Sequence, residues 1–139
     1  MPTQPNITSQ EPSAVPEVRR DEPVSAQVTP EDVVRHFFDC YTNGRPEDFD
    51  GVVAPDYLDY GHTPPGRGPD GARADYQAAV EQAGGVIPYT IDALVVDGDM
   101  VAAAWTGTLP DGQKAGGVGL YRTSGGLLRS TRHALFGAP

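Results

Sequence analysis

An aspartate and a histidine three positions apart, Asp59 and His62, are the residues of this chain best suited to acid–base chemistry. A carboxylate in a small pocket can take a proton from carbon, and a neighbouring imidazole can orient it or stabilise an oxyanion. A second histidine, His133, stands near the end of the chain, and an imidazole suits proton transfer near neutral pH. We therefore predict Asp59, His62 and His133 as catalytic residues.

Further side chains are predicted to contact a substrate. Arg129 and Thr131 would share one face of a regular strand with His133. Aromatic rings elsewhere in the chain could stack on a flat molecule or form the walls of a pocket. The predicted substrate contacts are Tyr41, Tyr60, Trp105, Arg129 and Thr131.

Helix signals dominate the first part of the domain that must position these residues. Thr29 followed by Pro30 and two acids predicts a capped helix, which Asn43 and the glycine after it should end. A short helix beginning at Pro46 should end at Pro55, because the residue before a proline avoids helical geometry.

Strand signals dominate the second part. A third helix, capped by Asp70 and ending near Ala83, follows a brief strand at 57–60 and a loop at 63–68. Alternating apolar residues from Ile87 to Val95 should then share one face of a strand. Tight turns separate the predicted strands 87–96, 100–108, 114–122 and 127–136. This order predicts an α+β fold, with N-terminal helices on a curved, mainly antiparallel sheet that encloses a pocket.

Composition narrows the possible functions. The 19 acidic residues against 10 basic ones give a net charge of −9, so no basic face for nucleic acid is expected. No apolar run could span a membrane, and no secretory signal is visible, so we expect a cytoplasmic protein. The three histidines and one cysteine show no ligand spacing, so neither a metal nor a cofactor is expected. Cys40 is predicted to be a buried, inert thiol.

The chain is predicted to form one domain, residues 29–139, after a tail. Residues 1–28 hold five prolines, mixed charges and few large apolar side chains. Such a segment cannot bury enough surface to offset the entropy lost on ordering, so we predict that it is disordered.

Four segments resemble the SnoaL-like polyketide cyclases, in the superfamily of nuclear transport factor 2, ketosteroid isomerases and limonene epoxide hydrolase. They are the helix 33–39 with its stop at Asn43-Gly44, the run Val53-Ala54-Pro55-Asp56-Tyr57-Leu58-Asp59, Gly68-Pro69-Asp70-Gly71, and the sheet segments Asp97–Ala102 with Trp105 and Leu120–Arg122. The resemblance implies a cone-shaped pocket, frequent homodimers through the sheet, no cofactor, and ring closure of a polyketide chain in bacterial secondary metabolism.

The chain departs from the cyclase pattern in its acids. Gly119 stands where these enzymes usually carry an acid, and the last strand has Arg129 to His133 where Glu or Asp is usual. Three hypotheses remain open. The first is a cyclase or isomerase acting on a polyketide-like small molecule, the second is epoxide hydrolase-like or dehydratase chemistry, and the third is a non-catalytic ligand-binding or dimerisation module.

Overall fold

Helices precede the sheet in this fold, as predicted. The computed structural model describes residues 28–136, so the predicted tail lies outside the described residues except for Val28. The elements are α1 (Pro30–Thr42), a 3₁₀ helix (Pro46–Gly51), β1 (Val53–Asp59), β2 (Gly66–Arg67), α2 (Gly68–Ala83), β3 (Tyr89–Asp97), β4 (Met100–Thr108), β5 (Lys114–Ser124) and β6 (Leu127–Phe136). None of the helices among these residues is long and apolar enough to cross a membrane.

The start of α1 is the predicted cap. Thr29 Oγ1 accepts the Asp32 backbone N–H at 3.1 Å, and the Asp32 carboxylate accepts the Thr29 N–H at 3.1 Å. This reciprocal arrangement satisfies two N–H groups that the helix itself leaves without partners. The buried face of α1 consists of Val33, Val34, Phe37, Phe38 and Cys40.

Three predicted boundaries around β1 and α2 are wrong. The short helix is a 3₁₀ helix that stops at Gly51, and β1 begins at Val53 and includes Pro55. Proline is tolerated there because β1 is paired with β6 at Val53 and then only from Leu58 onward. The third helix starts at Gly68, where no side chain caps it, and Asp70 lies within its first turn.

One mixed sheet of six strands carries the fold, in the order β2-β1-β6-β5-β4-β3. β1 runs parallel to β6, and the other neighbours are antiparallel. The short strand β2, which was predicted as loop, pairs with the end of β1. The helices and the curved, open sheet form the predicted α+β fold.

A bulge in β3 changes which of its side chains face the helices. The pairing with β4 shifts between Ile91 and Ala93. Tyr89 and Ile91 pack against the core as predicted, but beyond the shift Leu94 takes the core position and Val95 is exposed. The predicted single face from Ile87 to Val95 is therefore wrong after Ile91, because one extra residue reverses the alternation.

Candidate active site

A cavity of about 310 Å³ lies between the two α-helices and the inner face of the sheet. We call it the inner cavity. Most of its wall is aromatic or aliphatic, and its polar groups are few. It is lined by Phe37, Phe38, Tyr41, Tyr57, Asp59, Gly61, His62, Asp75, Ala78, Ala79, Gln82, Tyr89, Trp105, Tyr121, Thr131, His133 and Leu135. An apolar pocket with a few convergent polar groups is typical of small-molecule sites.

Asp59 is the buried carboxylate of the inner cavity. It is the last residue of β1, pairs with Thr131 of β6, and is only 5% exposed. Its Oδ1 accepts the Gly61 backbone N–H at 2.7 Å. Its Oδ2 has the His62 Nε2 at 3.4 Å, which is beyond an ordinary charge-assisted hydrogen bond. One carboxylate oxygen of Asp59 is therefore only weakly engaged.

A second carboxylate, Asp75 of α2, was not predicted from the sequence. Its Oδ1 lies 2.6 Å from His62 Nε2, and its Oδ2 accepts the Tyr41 hydroxyl at 2.6 Å. Asp75 thus has two strong donors, whereas Asp59 has one. The signal was present: Asp75 lies three residues after Ala72 and four before Ala79, on the helix face that was predicted to be apolar.

His133 reaches the inner cavity from β6. Its Nδ1 lies 4.0 Å from Asp59 Oδ1, so the two groups are neighbours without a hydrogen bond. Gly61 makes this proximity possible. A Cβ there would lie 2.8 Å from His133 Nε2 and 3.0 Å from Asp59 Oδ1. A side chain at position 61 would therefore displace one of the two predicted catalytic groups.

Tyr41, Trp105 and Thr131 also line the inner cavity, as the sequence suggested. Thr131 Oγ1 accepts the Tyr57 hydroxyl at 2.9 Å, which joins β6 to β1 inside the core. Trp105 packs against Phe38 and Tyr89, with ring centroids 6.2 and 5.3 Å away.

Arg129 and Tyr60 lie on the other side of the sheet. The β5–β6 pairing shifts at Arg129, so this residue does not share a face with Thr131 and His133, and that prediction is wrong. Arg129 donates to Asp56 at 2.8 Å, and Tyr60 lies under the Arg132 guanidinium. Both line an outer cleft formed by Leu58, Tyr60, Met100, Leu120, Arg122, Arg129, Ser130 and Arg132.

The tyrosines of the inner cavity keep their protons at neutral pH. Burial raises the pKa of Tyr41, and the neighbouring Asp75 carboxylate raises it further. Burial likewise raises the pKa of Tyr57 and of Tyr121. These hydroxyls can therefore act as hydrogen-bond donors and not as bases.

Among the described residues, one cluster could hold a metal ion, and it consists of Asp59, His62 and Asp75. Their potential ligand atoms lie within 4.8 Å of one another, a proximity that the sequence spacing did not reveal. The 2.6 Å separation between His62 Nε2 and Asp75 Oδ1 is that of a direct hydrogen bond. Hydrogen bonding therefore accounts for the arrangement without an ion.

The family profile of the SnoaL-like domain matches residues 34–131, which include α1 from its second turn, the whole of β1 and the predicted catalytic residues Asp59 and His62. The chain belongs to the SnoaL-like domain family. The comparison with curated proteins found no sequence that matches this chain.

Solved structures show the same fold. A SnoaL-like polyketide cyclase from Agrobacterium tumefaciens is 16% identical with a TM-score of 0.66, over 78% of this chain and 91% of that one. A candidate ketosteroid isomerase from Kribbella flavida is 21% identical with a TM-score of 0.67, over 79% of each chain. An NTF2-like protein from Cytophaga hutchinsonii is 14% identical with a TM-score of 0.63, over 78% and 91%. These similarities show that this chain has the same fold as the three proteins.

Proposed function

We propose that this protein is a cofactor-independent cyclase or isomerase that removes a proton next to a carbonyl group of a polyketide-like small molecule. The observation that carries the proposal is Asp59, a carboxylate 5% exposed at the wall of a largely apolar cavity. Its Oδ2 is available to a ligand, and enolisation needs a carboxylate so placed.

The neighbours of Asp59 support its role as the base. Asp75 is held by Tyr41 and His62, so it is an orienting group and Asp59 is the base. His133, 4.0 Å from Asp59, is placed to return the proton or to take a second one. His62, predicted as the oxyanion donor, has its Nε2–H directed to Asp75 and serves better as an orienting residue.

The cavity wall supports a flat, apolar substrate. The rings of Phe37, Phe38 and Trp105 line one continuous surface with Tyr121. Aromatic walls of this kind favour planar, conjugated ligands by stacking and by exclusion of water. The cyclase and isomerase among the structures of the same fold give the proposal its reaction class.

Hydrogen–deuterium exchange tests the proposal without knowledge of the natural substrate. A planar aromatic 1,3-diketone is incubated in deuterated water, and loss of its α-proton is followed by NMR. Asp59→Asn should lower the catalysed exchange rate by about 100-fold or more. Asp56→Asn is the matched control, since Asp56 is in the same strand but pairs with Arg129 outside the cavity. Equal exchange by wild type and Asp59→Asn would refute the assignment.

The alternatives have less support. Epoxide hydrolysis by Asp59 together with Arg129 or Arg132 is not supported, because both arginines line the outer cleft. Isotope from labelled water in the product would revive that alternative. A non-catalytic module would be favoured if the cavity were filled by its own side chains, whereas about 310 Å³ is open and Asp59 and His133 both line it.

A further inference from the structure

The hydroxyl of Tyr121 is an unused polar group in the inner cavity. Tyr121 lies on the inner face of β5, is 3% exposed and lines the cavity together with Asp59. Its ring packs against Phe38 and Phe37, with centroids 5.7 and 6.3 Å away. These contacts fix the ring, so the position of the hydroxyl is set by packing.

Gly119 provides the space for this hydroxyl. A Cβ at Gly119 would lie 2.6 Å from Tyr121 Oη and 2.8 Å from Cζ. The hydroxyl therefore occupies the volume that a side chain at position 119 would fill. Gly119 pairs with His133 in the β5–β6 ladder, so Tyr121 Oη lies at the level of His133 along the sheet.

The Tyr121 proton has no acceptor among the described residues. Tyr41 and Tyr57 donate to Asp75 and Thr131, but no described residue accepts from Tyr121 in hydrogen-bond geometry. The Trp105 indole N–H approaches Tyr121 and lowers its pKa, although burial dominates and raises it. This approach falls short of a hydrogen bond, since Trp105 Nε1 is itself left without a partner. Trp105 Nε1 is the described side-chain atom that is buried without a partner, whereas the Tyr121 hydroxyl lines the inner cavity and can donate to a ligand there.

We propose that Tyr121 is a catalytic residue that donates a hydrogen bond to the substrate oxyanion, an inference that rests on the proposed function. As the α C–H bond breaks, Asp59 takes the proton and the electron pair moves to the carbonyl oxygen. Tyr121 keeps its own proton and directs it to that oxygen. The substrate is thus an enolisable ketone bound with its carbonyl oxygen toward β5, and Tyr121 replaces His62 as the donor.

Binding of 4-nitrophenolate tests the inference, because this anion mimics an enolate and its ionised form is seen by absorbance. Asp59→Asn serves as the background, since a neutral residue 59 resembles the site after proton abstraction. Adding Tyr121→Phe should weaken phenolate binding roughly tenfold or more, the effect of losing one hydrogen bond to a charged group. Adding Tyr76→Phe is the matched control and should change it less than about twofold, because Tyr76 is a buried tyrosine that does not line the inner cavity.

The outcomes separate this inference from the proposed function. Equal phenolate affinities with and without the Tyr121→Phe substitution, an equal loss in the Tyr76→Phe control, or no phenolate binding in the background would overturn the role of Tyr121. If Tyr121→Phe weakens phenolate binding while Asp59→Asn leaves diketone exchange unchanged, the role of Tyr121 as donor is supported and the assignment of Asp59 as base fails. Gly119→Ala is a second variant. Its Cβ would displace the hydroxyl, so it should weaken phenolate binding even if Tyr121→Phe does not fold.

Discussion

Asp75 Oδ1 and His62 Nε2 lie 2.6 Å apart, which ties α2 to the loop that follows β1. The same carboxylate accepts the Tyr41 hydroxyl of α1. One side chain therefore holds three separate segments around the entrance of the inner cavity. This arrangement leaves Asp59 as the carboxylate with an oxygen free for a ligand.

Asp75→Asn should disturb this arrangement without changing the size of the side chain. An amide has one acceptor oxygen, so Tyr41 or His62 loses its acceptor, at a cost of about 1–2 kcal/mol in the free energy of unfolding. Diketone exchange should fall about tenfold as the imidazole of His62 loses its orientation. The ¹⁵N NMR signals of the His62 ring report its protonated nitrogen directly.

Glu81→Gln is the control for this variant, because Glu81 is an exposed acid near the end of the same helix. It should change stability by less than about 0.5 kcal/mol. Unchanged His62 ring signals and unchanged exchange in Asp75→Asn would contradict an orienting role.

Gly61→Ala should impair the site more than the fold. Its Cβ would overlap the His133 ring and crowd Asp59, so one of the two must move. We expect diketone exchange to fall at least about tenfold, since displacement by about 1 Å is costly to catalysis. Gly51→Ala is the control, because nothing lies within 4 Å of a Cβ at that exposed position. Wild-type exchange in Gly61→Ala would show that the approach of His133 to Asp59 is unimportant.

The fold could be predicted because its signals are local. The Thr29 cap and the glycine turns between strands act within a few residues, and each was found where predicted. The bulges at Ile91–Ala93 and at Arg129 could not be predicted, because an extra residue in one strand is defined only by the partner strand. The second bulge is the reason that Arg129 was placed on the wrong face.

The candidate site was predicted in part for a related reason. Asp59, His62 and His133 are chemically conspicuous in sequence, and the structure brings them to one cavity. Asp75 is inconspicuous because its partners lie 13 and 34 residues away along the chain. Tyr121 is inconspicuous because the space for its hydroxyl depends on the missing side chain of Gly119.

Alkaline pH should destabilise the protein through its buried tyrosines. Burial raises the pKa of Tyr41, Tyr57, Tyr89 and Tyr121 above the ordinary value of 10.0. A raised pKa in the folded state means that the stability contribution is complete below about pH 10 and is lost as the pH rises above it. The thermal midpoint should therefore fall above about pH 10, and the absorbance of these four tyrosinates should appear together with unfolding.

Tyr57→Phe should make the loss of stability at alkaline pH less steep, because one ionisable hydroxyl is removed while the ring is retained. Tyrosinate absorbance that develops fully at about pH 10 in the folded protein would contradict the prediction.

Cys40 should be unreactive in the folded protein. It is buried in α1, and burial together with nearby carboxylates raises its pKa to about 12. The thiolate is the reactive form, so a disulfide reagent at about pH 8 should modify Cys40 only after denaturation in guanidinium chloride. Rapid modification of the native protein would show that the thiol is accessible.

We propose that two copies of the chain pair through the outer face of the sheet. Val95, Val118 and Leu120 are exposed there on two strands, and Val95 and Leu120 both lie beside Ala102. Apolar surface of this kind commonly marks an interface between proteins. Light scattering should give the mass of a dimer for wild type and of a monomer for Leu120→Glu.

Gln77→Glu adds the same charge on the exposed face of α2 and should leave the dimer intact. A monomeric wild-type protein at micromolar concentration would refute the pairing.

The parallel pairing of β1 with β6 has a consequence for the synthesis of this protein. Tyr57 and Thr131, joined across these strands, are 74 positions apart, and Asp59 depends on the same pairing for its place. Contacts so distant along the chain form slowly and late. During translation, both α-helices and the other strands leave the ribosome before β6 exists, so the growing chain carries a half-built pocket with an open sheet edge. A chaperone that shields that edge would protect the protein at its most aggregation-prone moment.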